Sequence, residues 1–188
     1  MEILISLCVG IALSASSGFR VFVPMLVANL ASKYELLHLS QGFEWLESPI
    51  ATLIFGVATV VEIGAYYIPF IDNLLATLAV PSSFVAGTIL TTSILQIDSP
   101  ILQWSLGILA GGGVAGTIQS GTGLLRLASS KLTGGIGNPI FSTIENFSSI
   151  TISVLTLWIP IIVAIFVLIL SIYLFRKIFK RFFSKTQN

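Results

Sequence analysis

Apolar runs, separated by short polar or glycine-rich breaks, divide this 188-residue chain into six segments. The first covers 3–30 and is interrupted by Ser14-Ala15-Ser16-Ser17-Gly18. After a polar loop at 32–47, the second segment covers 49–70. The third, 82–97, is short and rich in Ser and Thr; the fourth, 100–125, is rich in Gly. The fifth, 133–147, is barely apolar, and the sixth, 150–175, is the most lipid-like stretch of the chain. A helix that crosses the hydrocarbon core needs about 20 mainly apolar residues. The pattern therefore predicts an all-α polytopic membrane helix bundle with about six membrane-embedded segments. Two of these, 82–97 and 133–148, are short or re-entrant. One integral membrane domain spans 1–175, and 176–188 is a basic cytoplasmic tail.

Two segment starts share a signature. Ser48-Pro49-Ile50 and Ser99-Pro100-Ile101 each read as a Ser N-cap followed by Pro in the first helical position. The offset of 51 residues also aligns Gly56 with Gly107 and Ile89 with Ile140, which suggests an internal repeat of 48–98 on 99–149. The two short segments would then occupy equivalent places, and paired short segments point to a binding site in transporter folds. If both cross, there are six spans with both termini inside; if both re-enter, there are four full spans and the repeats are inverted. Charge favours six crossings, and the polarity of 133–148 favours re-entry.

Composition sharpens the class. Hydrophobic residues make up 55% of the chain and charged residues 9%; the mean hydropathy is +0.99. Soluble domains carry about 25% charged residues, so neither a soluble globular domain nor a disordered chain fits. The net charge of +1 hides an asymmetry: Arg176, Lys177, Lys180, Arg181 and Lys185 crowd the C-terminal end. The positive-inside rule places that end in the cytoplasm. Cys8 is the single cysteine, which leaves no disulfide within one chain. The N-terminal apolar stretch lacks a basic n-region and resumes at Phe19, so it reads as an uncleaved first span.

Charges within apolar segments are the candidate functional residues, because each needs a partner or water. Arg20 interrupts the first segment and Glu62 the second. Counted inward from the loop that joins these segments, they lie at similar depth, which predicts an Arg20–Glu62 pair acting as gate or solute site. Asp72 and Asp98 lie near segment ends and read as solvated boundary charges. His38, in the polar loop, has no partners at metal-ligand spacing, and no metal site is expected.

Gly111-Gly112-Gly113-Val114-Ala115-Gly116 formally matches G-x-G-x-x-G, but no strand precedes it and no acid follows at the required distance. The better reading is close helix packing through Gly107, Gly111, Gly112 and Gly116, with unwinding near Gly121 and Gly123. Gly134-Gly135-Ile136-Gly137-Asn138-Pro139 predicts a flexible approach, Asn138 as N-cap and Pro139 in the first turn. That helix start, with Arg126 and Lys131 upstream and Glu145 within it, is a candidate site for an anion or polar solute.

Three ordered motifs also carry a resemblance. Ser17 to Pro24 (SGFRVFVP), Ile68 to Asp72 (IPFID) and Gly137 to Glu145 (GNPIFSTIE) are similar to a bacterial multi-pass membrane-protein family known only as a domain of unknown function. The resemblance covers nearly the whole chain and implies a multi-pass inner-membrane protein without assigning an activity. Where that family often has an acidic residue after the glutamate, this chain has Asn146.

The expected function is a small membrane transporter or channel for a small polar or anionic solute, a facilitator or secondary carrier since no ATP-binding motif appears. The alternative is a non-transporting membrane scaffold or assembly protein. No catalytic constellation and no cofactor motif stands out, so an enzyme is not expected. Membrane lipids, the solute and a second copy in a homodimer are the expected partners; nucleic acid is not.

Overall fold

Proline and serine set most of the helix starts. The computed structural model of the chain describes residues 2–133 and 137–183. Helix α1 is Glu2–Ser17 and α2 is Phe22–Lys33, joined by a tight turn at 18–21. A single 3-10 turn, Glu44–Glu47, leads into α3, Pro49–Ala65, and then α4, Pro69–Ile94. Helix α5, Pro100–Leu106, continues through a π-helical stretch, Gly107–Gly112, into α6, Gly113–Thr133. Helices α7, Asn138–Trp158, and α8, Pro160–Phe183, complete the all-helical fold. Ser48 Oγ accepts the N–H of Ala51 at 3.1 Å, and Ser99 Oγ that of Leu102 at 3.5 Å, each just before a proline that needs no N–H partner.

Among the described residues, four stretches are long and apolar enough to cross a membrane: Leu74–Ile94, Pro100–Leu132, Asn138–Trp158 and Pro160–Phe179. Both segments read as short belong to full-length helices. Residues 82–94 are the second half of α4, a continuous helix of 26 residues that runs through Pro81. Proline is tolerated inside a membrane helix where neighbouring groups satisfy the freed backbone. Residues 138–148 open α7, whose 21 residues end at Trp158 rather than at the serines of 148–149. The predicted 51-residue repeat finds its two Ser-Pro caps, but 17 residues of α3 face a rod of 33 residues in the other half. Nor does α6 unwind at Gly121 and Gly123; the irregular turns lie at Gly107–Gly112 instead.

The first segment differs most from expectation. Ser14 Oγ donates to Gly87 O at 2.7 Å and Ser17 Oγ to Ser83 O at 3.4 Å, so α1 runs antiparallel to α4. The first turns of α1, at Ile3 and Ser6, share a groove with Leu36, His38, Gln96 and Pro160. At the far end of α2, Ser32 Oγ donates to Glu47 at 2.5 Å and the Asn29 amide donates to Leu46 O. Both outer ends of α1 and α2 therefore lie beside the 34–48 loop. The segment is a helical hairpin, not one span, and its tip at 18–21 points toward the opposite end of the bundle. At 1.5 Å per residue, its arms of 16 and 12 residues reach about 24 and about 18 Å. Helix α8 starts beside α1's first turn and runs away from it. The described chain thus begins and finishes at opposite ends of the bundle, which overturns the expectation of both termini on one side.

Helix α1 is the centre of the fold, enclosed by α4, α6, α7 and α8. Residues 9–18 are all buried. Its serines join neighbours by hydrogen bonds: Ser14 to Thr91 at 2.7 Å, Ser16 to Ser153 at 2.6 Å and to Ser149 at 2.9 Å. Close backbone approach does the rest. A Cβ on Gly107 would collide with Thr92, on Gly111 with the carbonyl of Gly87, and on Gly112 with Thr88. Gly116 is less confined, with the Phe84 ring at an ordinary 3.6 Å. At the loop end, Gln103 Nε2 donates to Ser40 Oγ and to the carbonyls of Thr92 and Leu95 at 2.8–2.9 Å, strapping the loop onto α4 and α5. Trp45, Trp104 and Trp158 are exposed at this same end, where amphipathic rings mark a membrane–water boundary.

Candidate functional site

At the other end, four parts of the chain bring charged side chains to the hairpin tip. Gly18 lets the turn seat against α6: a Cβ there would lie 2.7 Å from Ala115 O and 2.8 Å from Ile118. Arg20, the next side chain but one, is 1% exposed. Its Nη1 donates to Glu145 at 2.8 Å and to Phe19 O at 3.0 Å; its Nε donates to Asn146 Oδ1 at 2.5 Å and its Nη2 to Ser142 O at 3.2 Å. Helix α7 supplies all of these partners except Phe19. Asn138, Ser142 and Glu145 recur at helical spacing and line one buried face with Ser149, Ser153 and Thr156.

Arg126 of α6 holds Glu145 from a second side. Its Nε donates to Glu145 Oε1 at 3.0 Å, and its Nη2 donates both to Glu145 Oε2 and to Ser142 Oγ, the latter at 3.0 Å. This is the two-pronged geometry in which a guanidinium best matches a carboxylate. Arg126 Nη1 also pairs with Asp72 in the first turn of α4. Asp72 is 2% exposed, so the boundary-charge reading fails for it. Arg126 of α6 and Asn138 of α7 cover the carboxylate in the first turn of α4. Asp98 is exposed, as a solvated end charge should be. The ring of Tyr66 lies 3.9 Å from the Arg20 guanidinium carbon and 4.6 Å from that of Arg126, a distance at which the ring quadrupole attracts a cation.

Glu62 is present in the cluster, but in another role. Its two carboxylate oxygens accept the backbone N–H groups of Val21 and Phe22, at 2.8 and 3.0 Å. Helix α2 has no side-chain cap of its own, so a glutamate from α3 supplies one, at the end where the helix dipole favours an anion. The predicted Arg20–Glu62 ion pair is not formed. Arg20 pairs with Glu145, because α7 and not α3 faces the guanidinium.

Asn138 is not an N-cap either. Gly137 takes that position, and the buried Asn138 amide donates to Asp72 Oδ2 at 3.0 Å and to Ser130 Oγ at 3.1 Å. The anion near this helix start is the chain's own carboxylate. Gly134, Gly135 and Ile136 lie outside the described residues. Lys131 is exposed in the last turn of α6 and takes no part in the cluster among the described residues. Sequence reading gives Asp72, Tyr66, Ser142 and Asn146 no place in the site; the period of polar residues along α7 is the available signal for the last two. No group of His, Cys, Asp and Glu among the described residues is arranged to hold a metal ion.

The family described as Domain of unknown function (DUF4126) matches residues 7–180, and the chain belongs to it. No curated protein and no solved structure matches.

Proposed function

We propose that this member of the family is a small membrane transporter or channel for a small polar or anionic solute, working without a nucleotide or metal cofactor. The buried Arg20–Glu145–Arg126–Asp72 cluster at the tip of a helical hairpin carries that reading. Two guanidiniums deep in an apolar bundle are costly, and a packing clamp would need only one pair. Here the arginines are held by carboxylates of the chain itself, which stand where a solute anion would stand. Asp72, nearest the helix ends, is the carboxylate that an anion arriving from that side would displace from Arg126. Glu145, farther along α7 than Asp72's partner Asn138, and Arg20, which it holds, form the inner closure.

Charge distribution supports an orientation. Lys131, Arg176 and Lys177 lie at the cluster end, while Glu35, Glu44, Glu47 and Asp98 lie at the loop end. By the positive-inside rule the cluster end faces the cytoplasm, and the first turn of α1 faces the opposite side. A bacterial inner membrane and a homodimer remain part of the proposal, since a bundle this small encloses little path by itself.

Liposomes containing the purified protein, tested against phosphate, sulfate, lactate and neutral solutes, provide the test. Removing a charge-assisted hydrogen bond costs about 1.5–3 kcal/mol, which is about tenfold or more in affinity. Arg126→Gln is therefore expected to slow the transported probe at least that much. A second reading is the non-transporting scaffold, favoured by the complete pairing of both arginines. Absence of flux, with wild type and Arg20→Ala alike, would select it.

A further inference from the structure

Five carboxyl and guanidinium side chains meet at the hairpin tip, and their charges do not balance. Arg20 and Arg126 are matched by Glu145 and Asp72 through three ion pairs. Glu62 is the odd carboxyl. It is 9% exposed, forms no ion pair among the described residues, and spends both oxygens on the N–H groups of Val21 and Phe22. The other charged or titratable groups facing it are Arg20 from the turn, Tyr66 at the end of its own helix and Glu145 from α7. Arg126 and Asp72 stand beyond these.

The two protonation states of Glu62 differ in what they hold. A carboxylate has two equivalent acceptor oxygens; the acid has one good acceptor and an O–H that needs an acceptor of its own. A proton on Glu62 therefore releases one of the two bonds that seat the first turn of α2, a helix with no other cap. It also takes the five-group cluster from one net negative charge to none. An anion approaching Arg126 meets less repulsion, at the moment when the hairpin tip is less firmly held.

We propose that Glu62 is a proton-binding site, and that the proton it takes from water crosses together with the anionic solute. This deepens the transport reading and rests on it for the solute half. Atoms and charge balance without a further reactant: one proton converts the carboxylate to the acid; lactate or dihydrogen phosphate with one proton crosses electroneutrally, and a dianion such as sulfate with one proton carries one net negative charge, which the clamped voltage accommodates.

Two measurements on the reconstituted full chain separate the halves. In pH-difference infrared spectra, the wild type is expected to gain, above the bands of the exposed carboxyls, one high-frequency C=O band of a buried carboxylic acid as pH falls, and Glu62→Gln to lose that band. Labelling glutamate carboxyls with carbon-13 should shift the wild-type band, which assigns it to a glutamate even if Glu62→Gln fails to fold. Absence of the band, no isotope shift, or its persistence in folded Glu62→Gln overturns the proposal. In vesicles with the voltage clamped, uptake of lactate, phosphate or sulfate should rise several-fold under an inward acid gradient, and lose that response in Glu62→Gln. Uptake indifferent to the gradient overturns the coupling. A band that behaves as expected, with no probe moving, upholds the proton site and removes the transport reading instead.

Discussion

Glu145 accepts hydrogen bonds from both buried arginines, through one oxygen shared by Arg20 and Arg126 and a second held by Arg126 alone. Removing one partner of a buried pair leaves the other charge uncompensated, at a cost of about 3–5 kcal/mol. Glu145→Gln is thus expected to destabilise the protein by at least that amount, measured by denaturant titration in detergent. A double-mutant cycle should find strong coupling between Arg20 and Glu145 and much weaker coupling between Arg20 and Glu62; equal couplings would contradict the assigned pairing. Arg20 and Glu62 were legible in the sequence because each interrupts an apolar run. Their partners were not. Depth along a helix says how far a side chain lies from the membrane surface, but not which neighbouring helix faces it. Asp72 reads as a solvated boundary charge for a related reason: an aspartate in the first turn after a proline marks a helix start equally well in water or beneath other helices.

Helix α7 shows how a membrane turns the usual pattern inside out. Asn138, Ser142, Glu145, Ser149, Ser153 and Thr156 face inward, whereas Ile140, Ile144, Phe147, Val154 and Trp158 are exposed to the lipid side. Averaged over a window, half of such a helix looks barely apolar; read at helical period, it is a lipid-facing stripe opposite a polar one. Averaging also ends the segment at 147, whereas the helix continues to Trp158. The glycine face offers an element-level test. In Gly111→Ala the new methyl meets the backbone of α4, so overpacking should cost about 1–3 kcal/mol. Gly113 has nothing within 4 Å of its Cβ position, and Gly113→Ala should change stability by less than about 1 kcal/mol, through helix propensity alone. Thermal melts of the two variants in one detergent give the comparison; equal losses would show that the α4 contact is not tight.

At the scale of the molecule, the hairpin of α1 and α2 sets the number of chain reversals, and with it the sidedness of the ends. Helices α3 to α8 carry the chain from the loop end to the cluster end, with the N-terminal turn left at the loop end. Two single-cysteine variants in a Cys8→Ser background test this. Leu132→Cys is expected to react with a membrane-impermeant maleimide only from the cytoplasmic side, and Glu35→Cys only from the opposite side. Labelling of both from one side would rule out the arrangement.

Composition alone determined that this chain lives in a membrane, because 9% charged residues cannot cover a water-facing surface. Local chemistry determined where α3 and α5 start, since a serine cap and a proline act within one turn. Charges inside apolar runs determined where to look for function. Only the tertiary structure decided that the first segment folds back on itself, that Arg20 belongs to Glu145 and that Glu62 caps a helix other than its own. Those choices depend on which helix faces which, and a one-dimensional pattern constrains the depth and face of a residue but not its neighbour across the bundle.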